Sequence, residues 1–356
     1  MTLAVAWPNW VGDVVMATPT LRALRARFPD ERIVAVVRPY VRPVLDPNPW
    51  TDEYLECGAS AADFRRTVFE LRRRRVETGI LLPNSFRSAL LFWLGGVRRR
   101  IGYARGGRSW LLTDRLQAPQ SRQASACLPA SRRGRGPSQG GGRFVPTPMI
   151  PYYLALAEAL VGAGAADRRM ELFVTPADEA AADAAYRAAG LDPAATLLLC
   201  PGYAFGPSKG WPVPHWADLA RSALERFGLR SAVLCSPSEA PTADAIRRAA
   251  TSCATFHDKG ITLASARAVV RRARAMVAID SGLRHYAAAL GRPVVTLFGP
   301  THIEWTETWY DKEVRLQGIA PCGPCQEPVC PTGTMECMWK ITPREVLDAL
   351  EEALRR

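Results

Sequence analysis

Short apolar runs alternate with amphipathic stretches along this chain, joined by connections that suit parallel strands crossed over by helices. Leu3-Ala4-Val5-Ala6-Trp7 reads as a strand and Pro8-Asn9-Trp10-Val11-Gly12-Asp13 as a loop, with a helical pattern continuing to Phe28. Further strand-like runs cover residues 33–37, 78–82 and 100–103, and an arginine-rich helix is predicted over 61–75. A second series begins near Arg169. Its strand-like runs cover 196–200, 231–235, 275–279 and 293–298, and helical patterns fall at 176–189, 214–227, 239–251, 262–274, 283–290 and 343–355. Between the two series, residues 117–148 are rich in Ser, Gly, Pro, Gln and Arg and hold little that can be buried, so they read as a flexible insertion. A helical pattern resumes over 149–162. At 356 residues the chain is long enough for two cores. The expected class is α/β, with two doubly wound, Rossmann-like parallel-sheet domains over 1–165 and 166–356. Their strand carboxyl ends would present ligands to a cleft.

The net charge of +12 comes from 46 basic residues, only four of them lysine. Guanidinium groups favour bidentate contact with phosphate and carboxylate, so an anionic partner is expected. A hydrophobic content of 48% with 22% charged residues excludes a disordered chain. No stretch reaches the ~18 apolar residues of a membrane span. The longest, residues 88–97, contains Gly95-Gly96 and runs into Arg98-Arg99-Arg100. The first residues lack the basic lead of a signal peptide, and Pro8 and Asp13 interrupt the apolar run, which predicts a cytoplasmic protein. Nine cysteines in so long a chain predict reduced thiols or a metal site rather than a disulfide framework.

Three loops that follow strands carry residues suited to chemistry. Gly12 and Asp13 lie where the first loop enters a helix; glycine allows close backbone approach, and the free N–H groups of a helix start favour an anion. Asp13 is either a helix-capping residue or a general base kept ionised by the helix dipole. The loop from Pro201-Gly202 to Ser208-Lys209-Gly210-Trp211-Pro212 offers backbone amides and one mobile cation to a phosphate, or is a surface turn with a solvated lysine. It lacks the Gly-Lys-Ser/Thr of a triphosphate-binding loop. Asp280-Ser281-Gly282-Leu283-Arg284-His285 opens a further helix. Ser281 and Gly282 there present amides to a diphosphate, while Asp280 and His285 suit sugar hydroxyls or the diphosphate itself. Glu239 suits a ribose diol, or is a carboxylate in the first turn of a helix. Two anion cradles in one half point to a nucleoside diphosphate ligand. Cys322, Cys325, Cys330 and Cys337 form C-x2-C-x4-C-x6-C within residues 321–338. Four thiols so close suit a structural zinc or an iron–sulfur cluster, although the spacing is not that of a paired zinc ribbon, and plain loop thiols stay open.

A hydrolase triad lacks support, since there is no Gly-x-Ser-x-Gly and only four histidines, His215, His257, His285 and His302. No basic recognition helix with interleaved aromatics supports a nucleic-acid partner. Taken together, four blocks resemble the bacterial ADP-heptose:lipopolysaccharide heptosyltransferases, in the same order and over nearly the whole chain outside 117–148. They are Trp10-Val11-Gly12-Asp13; Leu82-Pro83-Asn84-Ser85-Phe86-Arg87-Ser88-Ala89; Cys200-Pro201-Gly202 with Lys209-Gly210-Trp211-Pro212; and Asp280-Ser281-Gly282 with His285-Tyr286-Ala287-Ala288-Ala289-Leu290-Gly291. The Pro-Asn-Ser-Phe block is most similar to type II.

The resemblance implies a GT-B fold and an inverting transfer that requires no metal or other cofactor. It implies ADP-heptose (ADP-L-glycero-D-manno-heptose) as donor and an anionic heptosyl-Kdo-lipid A acceptor, handled by a monomer at the inner face of the cytoplasmic membrane. Asp13 matches the family's base and Lys209 the lysine that stabilises departing ADP. Gly202, Glu239, Asp280, Ser281, Gly282 and His285 match donor-binding positions, and Gly12, Asn84, Ser85 and Arg87 acceptor-binding ones. Gly210 stands where relatives usually have arginine, and Arg284 is placed to return that charge. A transferase of the same family with another sugar or acceptor, and a non-catalytic binder of sugar nucleotides or anionic lipid, are the alternatives.

Overall fold

Leu3, Ala4, Val5 and Ala6 are apolar without alternation, the pattern of a strand covered on both faces, and all four are buried in β1 (Thr2–Ala6). The computed structural model describes residues 1–118, 146–162, 164 and 167–356. The insertion expected over 117–148 lies outside the described residues except at its ends. β1 is joined by β2 (Arg32–Val37), β3 (Glu53–Glu56), β4 (Thr78–Leu81), β5 (Arg99–Tyr103) and β6 (Asp114–Leu116) in a parallel sheet of order β3-β2-β1-β4-β5-β6. A second sheet holds β7 (Thr196–Cys200), β8 (Arg230–Val233), β9 (Ala254–Thr255), β10 (Ala275–Ile279), β11 (Val294–Phe298) and β12 (Glu313–Gln317) in the order β12-β11-β10-β7-β8-β9. Counted from its own first strand, the second sheet repeats the order of the first. Each sheet therefore reverses direction once, between β1 and β4 and between β7 and β10, and a crevice opens beyond the strand ends at each reversal.

The α-helices are α1 (Val11–Met16), α2 (Thr18–Arg27), α3 (Arg42–Leu45), α4 (Ala61–Arg73), α5 (Phe86–Leu94), α6 (Met149–Val161), α7 (Pro176–Ala189), α8 (Val213–Phe227), α9 (Ala240–Ala249), α10 (Ala266–Arg272), α11 (Gly282–Ala289), α12 (Glu336–Trp339) and α13 (Pro343–Arg355). Local chemistry sets many of their ends. α7 starts at a Thr175–Asp178 capping box and stops at Gly190, whose left-handed φ of 62° suits glycine. α13 starts at a Thr342–Glu345 capping box with Pro343 in its first turn. The single helical pattern expected up to Phe28 breaks into α1 and α2, because Pro19 has no N–H for the Val15 carbonyl and the Thr18 hydroxyl donates to it instead, at 2.8 Å.

Met1–Asn9, Pro19–Arg42 and Pro49–Asp167 form one packing unit, and Trp10–Thr18, Pro43–Asn48 and Arg168–Arg356 form the other. Two short segments from the first part of the chain thus pack with the second unit. Asp46 is held there by its carbonyl, 2.6 Å from Nη1 of Arg267, whose Nη2 pairs with Asp178 at 2.9 Å. The first core gathers Ala4, Val34, Leu81, Phe92 and Leu111; the second gathers Leu197, Trp211, Trp216, Val277, Leu297 and Leu350. Trp211 buries its ring edge-on to Trp216 and donates from Nε1 to the Ile341 carbonyl at 2.8 Å, so its polar tip is satisfied. No described helix is long and apolar enough to cross a membrane.

Gly79 in β4 lies directly under Phe92 of α5: an added Cβ would overlap the ring and stand 3.1 Å from Val97. Gly79→Ala should destabilise the first unit by roughly 1–3 kcal/mol through overpacking, read as a lower urea midpoint. A midpoint equal to that of the wild type would contradict this packing.

Candidate functional site

β7 ends at Cys200 and β10 at Ile279, and the residues that follow these two strands meet at the crevice between them. Lys209 closes a single 3-10 turn (Pro207–Lys209) and is buried. Its Nζ donates to Oδ2 of Asp280 at 2.6 Å and to the Asp280 carbonyl at 2.9 Å, with the Phe205 ring centre 4.9 Å away. Asp280, 8% exposed, also accepts from Thr301 Oγ1 at 2.8 Å and Thr306 Oγ1 at 3.3 Å. Burial by itself raises this carboxyl, but the Lys209 and Arg284 charges and the hydrogen bonds from Lys209 and Thr301 outweigh it and hold it at about 2. Asp280 is therefore ionised and engaged within the protein, where it anchors the lysine. Two of the three ammonium N–H groups serve Asp280, which leaves one for a ligand.

Ser281 takes extended backbone (φ −139°, ψ 172°) before α11, and its side chain makes no capping hydrogen bond. Gly282 begins α11 and packs against α1: a Cβ added there would lie 2.9 Å from Val11, and one added at Gly12 would lie 2.9 Å from Cδ2 of His285. The two glycines let α1 and α11 approach closely. Asp13, in the first turn of α1, is half-buried and travels with that contact. It is not the helix cap; Trp10 occupies that position.

His285 is buried, and burial together with the adjacent Arg284 charge pushes its pKa well below the ordinary value, so the ring is neutral. Nε2 accepts from Arg284 Nε at 3.4 Å, which assigns the proton to Nδ1, an atom with no partner among the described residues. Arg284 does not return charge to a diphosphate. Its guanidinium is fully buried, paired with Glu313 at 2.7 Å and bonded to the Thr306 carbonyl, because α11 turns that side chain inward toward β11 and β12. Glu239 closes a capping box, accepting from the backbone N–H and hydroxyl of Ser236 at 2.9 and 2.8 Å. The same carboxylate lies over Gly202, where any side chain would strike it, so these two expected donor residues do come together.

In the first unit, the β1/β4 crevice holds a pocket lined by Trp7, Asn9, Arg38, Ser85, Arg87 and Ser88 among others. Arg38 donates to the Cys57 carbonyl at 3.2 Å; Arg87 donates to the Gly58 and Ser60 carbonyls at 3.2 and 3.3 Å and lies over the Phe64 ring. Neither guanidinium has a carboxylate partner among the described residues, which suits an anionic ligand. Asn84 does not line this pocket. Its amide bridges Tyr152 (3.0 Å) and the fully buried Arg108 (3.2 Å), bracing the loop from behind. Gly12 belongs to the α1–α11 contact instead. Arg38 was not singled out in the sequence, although it directly follows a strand that ends beside a reversal point. Thr301 and Thr306 gave no local signal, being drawn to Asp280 only by tertiary packing.

The sequence left a structural metal open at the four thiols of the 321–338 loop. Among the described residues no group of three or more His, Cys, Asp or Glu side chains is placed to hold an ion. Cys337 is buried beneath Gly299, while Cys330 Sγ accepts from the Met335 N–H and meets the Thr332 hydroxyl, both at 3.3 Å. The loop has another use. The carbonyls of Glu327 and Pro328 receive the Ser208 hydroxyl (2.6 Å) and N–H (3.1 Å), which pins the turn that carries Lys209.

The family model described as glycosyltransferase family 9 (heptosyltransferase) matches residues 144–336. Lipopolysaccharide heptosyltransferase 2 of Salmonella typhimurium is 27% identical over 99% of both chains. Lipooligosaccharide heptosyltransferase 2 of Haemophilus influenzae is 27% identical over the full length of both. Among solved structures, the ADP-heptose lipopolysaccharide heptosyltransferase II of E. coli superposes with a TM-score of 0.76 at 26% identity, covering 100% of this chain and 99% of that one. A family 9 glycosyltransferase from Veillonella parvula gives 0.78 at 19% identity, with 99% and 97% covered, and shares the fold. The two parallel sheets accordingly have the GT-B architecture.

Two outcomes follow from the site itself. Lys209→Met leaves the buried Asp280 carboxylate without its main counter-charge and should cost roughly 3–5 kcal/mol in urea denaturation; an unchanged stability would contradict a buried pair. The Thr332 hydroxyl and the Met335 N–H bring the Cys330 thiol down to about 7, whereas burial lifts Cys235 and Cys253 to about 12. Alkylation of Cys330 should therefore rise with pH about a midpoint near 7, and Cys330→Ser should remove that fast phase.

Proposed function

The chain belongs to glycosyltransferase family 9, and we propose that it is an inverting heptosyltransferase carrying heptose from ADP-L-glycero-D-manno-heptose to the heptosyl-Kdo-lipid A inner core of lipopolysaccharide. The observation that carries this reading is the glycine-to-glycine contact of α1 with α11, which brings Asp13 to the helix whose start, with Lys209, suits a diphosphate. Full-length similarity to type 2 heptosyltransferases supports the choice of sugar and acceptor.

The amides of Ser281 and Gly282 and the ammonium of Lys209 receive the donor diphosphate, and Glu239 beside Gly202 takes the ribose. Asp13 accepts the proton of the acceptor hydroxyl as its oxygen attacks the anomeric carbon opposite ADP. The bond to ADP breaks as the new bond forms, and the configuration inverts. Negative charge then gathers on the departing phosphate, where Lys209 is already oriented by Asp280 and needs no reorganisation. His285 remains neutral throughout and acts as the surface on which Gly12 packs. Arg38, Arg87 and Ser85 receive the acidic sugar of the acceptor, and the enzyme works at the cytoplasmic face of the membrane.

ADP release from ADP-heptose in the presence of heptosyl-Kdo-lipid A tests the reading. Turnover should require the acceptor and fall at least ~100-fold in Asp13→Ala, with donor affinity unchanged. Donor binding without turnover on any inner-core acceptor would favour a silent binder, and absence of donor binding would sink the assignment.

A further inference from the structure

On the first unit three exposed aromatic rings form a continuous patch. Phe86 and Trp93 lie seven residues apart on one face of α5, and the Trp110 ring centre is 6.1 Å from each. They are 42%, 46% and 61% exposed, and Phe69 on the neighbouring α4 is 63% exposed. Water-facing tryptophans packed on one another are costly unless something covers them.

The same part of the chain concentrates positive charge. Residues 61–110 contain twelve arginines against three acidic residues, Asp63, Glu70 and Glu77. Asp63 and Glu70 are occupied by Arg66, Arg73 and Arg74. Arg65, Arg72, Arg75 and Arg98 are exposed and have no carboxylate partner among the described residues. Arg72 donates to the Leu94 carbonyl at 2.7 Å, which fixes it at the end of α5 one residue beyond Trp93.

We propose that this face docks on an anionic lipid surface, with Phe86, Trp93 and Trp110 entering the headgroup layer and the arginines of α4 and Arg98 meeting lipid phosphates. Tryptophan suits the boundary of a bilayer because it has an apolar ring and a polar N–H, and each nearby arginine adds attraction to an anionic leaflet. The proposal rests on the reading above that the acceptor is a lipid. Arg87, next to Phe86 in sequence, lines the β1/β4 pocket, so one helix bears both the membrane contact and an acceptor contact.

Sedimentation of the full chain with phosphatidylcholine vesicles, with and without phosphatidylglycerol, tests it. Binding should depend on phosphatidylglycerol and weaken with salt. It should fall at least about tenfold in Trp93→Ser/Trp110→Ser and in Arg65→Glu/Arg98→Glu, while both variants keep wild-type circular dichroism and ADP affinity. Wild-type protein that ignores anionic vesicles, variants that bind them as well as wild type, or retention by DNA in their place would overturn the proposal. Turnover on detergent-dispersed acceptor, measured in parallel, separates this failure from failure of the heptosyltransferase reading. If docking alone is wrong, that turnover persists.

Discussion

An ammonium and a carboxylate buried together beyond the ends of two central strands lose several kcal/mol of hydration each, and only close pairing with further hydrogen bonds offsets that loss. Lys209 and Asp280 meet this requirement at 2.6 Å, with Thr301 and Thr306 completing the shell around the carboxylate. Because β7 and β10 are adjacent, the loops that follow them can bring the two residues together. The pair in turn fixes the lysine against a crevice that has one ammonium N–H to offer. Ser208, tied to the carbonyls of Glu327 and Pro328, holds the turn from its other side. The cysteine-rich loop thus braces the Lys209 turn through its backbone carbonyls.

The two sheets share a strand order, yet their crevices differ in charge logic. Beyond β7 and β10 the cation is paired, desolvated and held rigid, as suits a group that must meet charge developing on a leaving phosphate. Beyond β1 and β4 the cations are two arginines that donate to carbonyls and have no carboxylate partner among the described residues, as suits holding an anion that does not change during a reaction. Rigid pairing in one place and open charge in the other follow from the carboxylates each loop happens to carry.

The central strands were legible because burial on both faces imposes an uninterrupted apolar run, as in 196–200 and 275–279. The strands missed in the sequence were β3, β6, β9 and β12, the four edges of the two sheets. They are short or carry charge, as in Glu53-Tyr54-Leu55-Glu56 and Asp114-Arg115-Leu116, because an edge strand has neighbours on one side only and charge there discourages further pairing. Site residues divide in the same way. Gly12, Gly282 and Lys209 stood out because they follow strands with unusual local chemistry. Asn84, expected beside Ser85 and Arg87, is instead drawn into a bridge between Tyr152 and Arg108, which no local pattern shows.

By itself, then, the amino-acid sequence determined the α/β class, the duplication of the strand–helix series and the loops whose glycines, lysine and carboxylates follow the central strands. These depend on periodicity, on glycine and proline, and on caps, all of which act over a few residues. Only the tertiary structure decided that Asp280 anchors Lys209, that Arg284 turns inward to Glu313, and that α1 packs with the second unit. Such outcomes depend on which distant loops arrive at the same place and on whether a buried charge finds its partner there, and neither is written in any short stretch of chain.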